Sequence, residues 1–191
     1  MSNIIDIRKY PLSCKHNFIF DANIWLYLYW PNQNIYKDES KIYSDFLKKI
    51  RQSNSKIYLF SLILSEFINV WVNEFYRTQK KVYGNKKEWK KSPDFPECLE
   101  GLLPVYKKIS QAAEPLDDLF SNAPIIEIIK NLSNYDFNDG YYEYLAAHSQ
   151  KDKLKHKYII VTDDVDFGMA DSSITILTAN PKLIRSKKTR N

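Results

Sequence analysis

Cysteine is almost absent from this chain. Only Cys14 and Cys98 occur in 191 residues. They lie far apart and outside any CxxC or Cys/His grouping, which argues against a disulfide framework or a zinc site and leaves two buried free thiols as the expectation. Histidine is nearly as scarce: His16, His148 and His156 show no partner pattern, and none is expected to act in catalysis. Long apolar runs are also missing. No stretch approaches the roughly 20 residues of a membrane helix, and the N-terminus lacks the charged, apolar and small-residue order of a secretory signal. A water-soluble, cytoplasmic chain that does not cross a membrane is expected.

What is present is ordinary for a folded protein. A hydrophobic share of 44% and a charged share of 27% exclude long disorder and fibrous architectures. The length suits one domain covering residues 1–191. A net charge of +5 and an isoelectric point near 9.0 are compatible with a polyanionic partner.

Hydrophobic periodicity sets out the elements. His16–Phe20 (HNFIF) reads as a buried strand that ends abruptly in Asp21-Ala22-Asn23. Ile42, Phe46 and Ile50, with Tyr43 and Leu47 beside them, predict an amphipathic helix. Lys56–Phe60 (KIYLF) is a second strand, and Ser61 is the expected N-cap of a long helix, SLILSEFINVWVNEFYRTQKK. Between Arg77 and Gly101, lysines crowd around Tyr83 and Trp89 and two prolines follow, so a helix end and an exposed basic insertion at about 77–103 are expected. Leu103–Phe120 reads as helix, while Pro124–Ile129 (PIIEII) fits strand or helix equally. A helix from Asp136–Asp139 to about Gln150, a strand at Lys157–Val161 (KYIIV) and another at Ile174–Leu177 complete the pattern. Strands alternating with helices predict an α/β three-layer sandwich, a mostly parallel central sheet flanked by helices.

In such a sheet, ligands bind beyond the carboxyl ends of the strands. Asp21 follows one strand directly, and Thr162-Asp163-Asp164-Val165-Asp166 follows another, so carboxylates gather on one rim. Glu66 lies within about one and a half turns of the start of its helix, close to the same rim. Converging carboxylates repel one another unless a cation neutralises them. Oxygen-only ligands favour Mg²⁺ or Mn²⁺ over zinc, and such ions assist hydrolysis of phosphodiesters.

Taken singly, each acid has a plainer reading. Asp21 and Asn23 suit a helix cap. Glu66 shares a polar stripe with Ser65, Asn69 and Asn73, and Asp136 and Asp139 suit a helix start. A calcium turn begun at Asp164 fails, because Gly168 and Thr175 stand at its fifth and twelfth positions.

Together the segments resemble the PIN-domain nucleases, a family that includes the VapC-type toxins of bacterial toxin–antitoxin pairs. FIFDANIW is similar to a first motif, SLILSEFINVW to a second, YDFNDGYYEYLAAH to a third and IIVTDDVDF to a fourth, in that order. The resemblance implies a PIN-like parallel sheet and cleavage of single-stranded or structured RNA. It makes Asp21, Glu66, Asp139 and Asp164 the catalytic metal ligands, with Asp166 as an outer or alternative ligand and Asn23 and Thr162 as hydrogen-bonding support. It is also the ground for bringing Asp139 to the rim. Asp163 adjoins Asp164, so the ligand assignment stays open between them. An antitoxin protein and a second copy of the chain are the protein partners the resemblance implies.

Lys86, Lys87, Trp89 and Lys90 are candidates for gripping RNA by charge and stacking; a solvated loop is the plainer reading. Two other functions compete. A haloacid-dehalogenase-type phosphatase also places an Asp after its first strand, but Asn23 stands where its general acid is required. A non-catalytic RNA-binding module on the same fold gains nothing from clustered negative charge.

Overall fold

The computed structural model describes residues 3–12, 16–31, 35–118, 123, 125–130, 137–148, 158–169 and 174–186. Its centre is a six-stranded sheet in the order β1-β6-β5-β2-β3-β4, every neighbouring pair parallel. The strands are β1 (Asn3–Asp6), β2 (Asn17–Phe20), β3 (Lys56–Leu59), β4 (Glu114–Pro115), β5 (Tyr158–Val161) and β6 (Thr175–Thr178). All four residues of β2 and of β5 are buried. Covered on both faces, these strands read as continuous apolar runs and take the middle of the sheet. Short, partly exposed β1 and β4 form its edges, and the sequence pattern does not single them out.

From β2 the chain passes to β3 on one side, and from β5 it passes to β6 on the other. The order therefore reverses between β2 and β5. A crevice opens at their carboxyl ends, where open parallel sheets bind ligands.

Helices cover the sheet: α1 (Ala22–Tyr29), α2 (Lys37–Gln52), α3 (Ser61–Tyr83), α4 (Lys86–Trp89), α5 (Phe95–Ala112), α6 (Ile125–Lys130), α7 (Phe137–His148) and α8 (Pro181–Ser186). In α2 the expected stripe is the inward face, with Tyr43, Phe46, Leu47 and Ile50 buried. In α3, Ile63, Phe67 and Trp71 bury one helical row. Of the ambiguous PIIEII segment, residues 125–129 lie in α6, a helix; Pro124 lies outside the described residues. Among the described residues, no helix is long and apolar enough to cross a membrane.

Three expectations are corrected. Ser61 is the first residue of α3, and Phe60 occupies the cap position. Phe60 is fully buried and has no polar side chain to offer; instead Asp118 accepts hydrogen bonds from the Ser61 backbone N–H, at 3.1 Å, and from its hydroxyl. Asp118→Ala should therefore cost about 1 kcal/mol, lowering the thermal midpoint by roughly 2–4 °C in a chain of this size. Calorimetry of the variant showing an unchanged midpoint would rule out this cap.

The second correction concerns the basic insertion, which is helical. Helix α3 runs on to Tyr83 and closes on Gly84, whose φ of 68° lies where a side chain would be strained; α4 and α5 follow. Trp89 is 0% exposed, packed edge-on against Phe95 at 5.1 Å and tilted against Tyr76 at 5.7 Å. The lysines hid an inward-facing set of Trp89, Cys98, Leu102 and Val105. Pro96 sits in the first turn of α5, where a missing N–H costs nothing. Third, the helix expected over Leu103–Phe120 begins earlier, at Phe95, and ends at Ala112, so that β4 can pair with β3. Cys98 is a buried free thiol; Cys14 lies outside the described residues.

Candidate metal centre

Asp21 caps α1 immediately after β2, and its N–H donates to the Val161 carbonyl at 3.0 Å, tying the ends of the two central strands together. Its carboxylate is held from three sides. Oδ1 accepts from the Ala22 N–H at 2.6 Å; Oδ2 accepts from the Asn23 amide and the Thr162 hydroxyl, each at 2.7 Å. The residue is 5% exposed. Burial raises its pKa from the usual carboxylate range to about 7, the Thr162 hydroxyl opposes this, and the charges of Glu66 and Asp164 add to the rise. A buried carboxylate facing two more carboxylates is a group that a cation would ionise.

Thr162, fully buried, also accepts from the Asp164 N–H at 3.0 Å, which fixes the start of the acidic loop after β5. The Asp164 Oδ1 in turn accepts from the Asp166 N–H at 3.0 Å. Phe167 is buried, with its ring parallel to that of Tyr142 at 6.4 Å, and so clamps the loop onto α7. Asp139, in the first turn of α7, is buried as well. Oxygens of Asp139, Asp164 and Asp166 all lie within 4.8 Å of one another. Such a set of hard oxygen donors, with Asp21 beside it, fits Mg²⁺ or Mn²⁺.

Glu66 enters from α3, where its Oε2 accepts from the Tyr142 hydroxyl at 2.7 Å and the Asn138 amide at 3.1 Å. Asp21 and Glu66 stand outside the mutual spacing that joins Asp139, Asp164 and Asp166, although both act electrostatically on the same centre. Asp163 turns away. Its Oδ1 accepts from the Tyr43 and Thr178 hydroxyls and from the Ala179 and Asn180 N–H groups, joining the end of β5 to the end of β6 and to α2.

The fold can now be compared with known ones. A chain of VapBC2 from Rickettsia felis, solved bound to a DNA fragment from their promoter, aligns with a TM-score of 0.51 over 85% of this chain and 98% of its own length. The chain has a PIN-like fold. At 14% identity that likeness speaks for the fold alone. PAE2754 from Pyrobaculum aerophilum aligns more loosely, with a TM-score of 0.45 and 16% identity over 91% of this chain and 96% of that one. No family model matches the chain, and no curated protein matches it.

The basic candidates belong to α4 and its C-cap. Trp89, buried in the core, offers no face for a base to stack on, so its expected role in RNA binding is withdrawn. Lys87 and Lys90 are exposed on α4 and its cap, and Lys86 reaches the Asn73 side chain. Sequence reasoning missed Asn138 and Tyr142. Both lie within the third motif, and Tyr142 follows Asp139 by one helical turn, a spacing that puts them on one face. Burial first, then the Glu66 charge, holds Tyr142 well above the usual phenol range, so it stays a neutral donor.

The Asp21 shift has a measurable sign. A carboxyl whose folded pKa is raised stabilises the fold below its unfolded pKa of about 4 and loses that contribution as pH rises to about 7. In EDTA, wild type and Asp21→Asn should unfold at similar temperatures near pH 4. Near pH 8 the wild type should be the less stable of the two. Added Mg²⁺ or Mn²⁺ should restore the wild type only. A wild type that gains on the variant between pH 4 and 8 in EDTA would contradict this origin of the shift.

Proposed function

We propose that this chain is a metal-dependent endoribonuclease that hydrolyses RNA phosphodiester bonds with Mg²⁺ or Mn²⁺. The observation that carries the reading is the meeting of Asp139, Asp164 and Asp166 beside buried Asp21, at the crevice where the strand order reverses. In this reading Asp21, Glu66, Asp139 and Asp164 hold the ion, with Asp166 as an outer or alternative ligand. The chemistry supplied by a bound divalent ion is acidification of a water and stabilisation of charge on the departing oxygen. The chain's own contribution is positional. Thr162 and Asn23 orient the Asp21 carboxylate, Asn138 and Tyr142 orient Glu66, and Asp163 keeps the loop anchored so that Asp164 faces the centre.

Asn23 also speaks against a phosphatase of the haloacid-dehalogenase type, because its amide donates to Asp21 and has no titrating proton to deliver. The sequence resemblance to VapC-type toxins supports a fuller role. The chain acts as one nuclease domain with α4 and the start of α5 inserted, works in the cytoplasm, pairs with a second copy and is held inactive by an antitoxin protein.

The test is direct. Purified protein is incubated with end-labelled single-stranded RNA in Mg²⁺, Mn²⁺ or EDTA. Cutting with metal and none in EDTA is expected. Binding of RNA or single-stranded DNA without cutting in either metal would end the catalytic reading in favour of a non-catalytic module.

A further inference from the structure

Helix α5 carries two apolar rows, and only one of them enters the core. Cys98, Leu102, Val105 and Ile109 are the buried row. Leu99, Leu103 and Tyr106, spaced i, i+4, i+7, share a second helical face about 100° round from it. They are 39%, 59% and 42% exposed. An exposed leucine by itself is ordinary on a protein surface. Three large apolar side chains in line along one helix form a continuous strip, the kind of surface on which another protein docks.

The charges bordering the strip select what docks there. Glu100 and Lys107, both exposed, stand on its solvent side, seven residues apart. That spacing sets them within about 20° of one another around the helix but about 10.5 Å apart along it, too far to pair. No residue three or four positions from Glu100 is basic, and none at that distance from Lys107 is acidic. Neither forms an ion pair among the described residues. Both also lie outside the terminal turns of α5 (Phe95–Ala112), so the helix dipole does not account for an acid ahead of a base. A second α5 running antiparallel across the strip supplies every missing partner. Turned about a two-fold axis at Leu103, Leu99 of one copy meets Tyr106 of the other, and Leu103 meets its counterpart. The same rotation returns each flank of the strip to the same side, so Glu100 of each copy faces Lys107 of the partner subunit. Parallel packing would set like charges together instead.

We propose that this chain forms a symmetric dimer by antiparallel packing of α5 on α5, with Leu103 on the axis and two Glu100–Lys107 pairs along one edge; this rests on the reading above that the partner is a second copy. The face of an 18-residue helix measures about 27 Å by 10 Å, short of the roughly 800 Å² per partner that stable complexes bury. The dimer is therefore in reversible equilibrium with the monomer.

Sedimentation velocity of the full chain over a dilution series tests this, with melting temperatures measured on the same preparations. Leu103, Glu100 and Lys107 are exposed, so variants at these positions should melt as wild type does. Wild type should pass from dimer to monomer on dilution. Leu103→Glu sets two carboxylates on the axis and should raise the dissociation constant about a hundredfold, because one substitution alters both sides of a symmetric contact. Glu100→Lys should raise it about tenfold, and the reversed pair, Glu100→Lys with Lys107→Glu, should return it to within about threefold of wild type. A wild-type dimer that Leu103→Glu leaves intact would overturn the α5 contact while leaving the second copy standing as partner. A reversed pair no tighter than Glu100→Lys alone would overturn the antiparallel register. A wild type that stays monomeric up to its solubility limit would overturn both the contact and the second copy.

Discussion

Asp21→Asn should lower metal-dependent RNA cleavage by at least about a hundredfold, since groups that merely orient a metal ligand already cost 10–100-fold when removed. The substitution keeps the size of the side chain and an oxygen that can accept from the Ala22 N–H. It removes the charge that the Glu66 and Asp164 carboxylates oppose in the absence of a cation. Loss of activity should therefore come without loss of fold. Rates of cleavage with saturating Mn²⁺, measured beside the melting temperature of the same preparation, separate the two effects. A variant that melts like wild type and still cuts within tenfold of it would remove Asp21 from the centre.

Asp163→Ala and Asp164→Ala, one position apart, should fail in opposite ways. Four donors converge on one oxygen of Asp163, two of them side-chain hydroxyls and two backbone N–H groups, and Tyr43 among them is fully buried. Groups left unsatisfied in the interior cost about 1–3 kcal/mol each. Some relief is available, because the Ala179 and Asn180 N–H groups also lie near the Tyr43 and Thr178 hydroxyls. Asp163→Ala should accordingly lose about 3 kcal/mol or more, a fall of roughly 6–12 °C in melting temperature. Asp164→Ala gives up its hydrogen bond to the Asp166 N–H, so it should melt close to wild type while cleavage collapses. Equal stability of the two variants in a urea titration would show that the Asp163 network contributes little.

Much of the fold could be read before any coordinates. HNFIF and KYIIV are short and apolar, with an acid one or two positions beyond each, and Asn17–Phe20 and Tyr158–Val161 within them are the two central strands, β2 and β5. The long period-3.6 stripes became α2 and α3. The edge strands escaped notice because four residues with one face exposed, or two residues in all, leave too little alternation to register. Region 77–103 is largely exposed and holds the end of α3, as expected, but α4 and the start of α5 within it went unread for a different reason. Six lysines dominated its composition, whereas its structure is set by the few residues that turn inward, Trp89 and Cys98 above all.

By itself, the sequence determined which residues end strands and which lie on helical stripes, because these depend on neighbours within a few positions along the chain. That was enough to put Asp21 and the 163–166 acids at strand ends and Glu66 near the start of a helix. The direction of each carboxylate was decided only by the tertiary structure. Asp163 faces away from the centre because Tyr43, 120 residues earlier, and Thr178 wait for it there. Asp139 reaches Asp164 because α7 packs beside β5, and Asp118 caps a helix that begins 57 residues before it. Side-chain direction follows from which polar groups must be satisfied once water is excluded, and those partners are gathered by folding from distant parts of the chain.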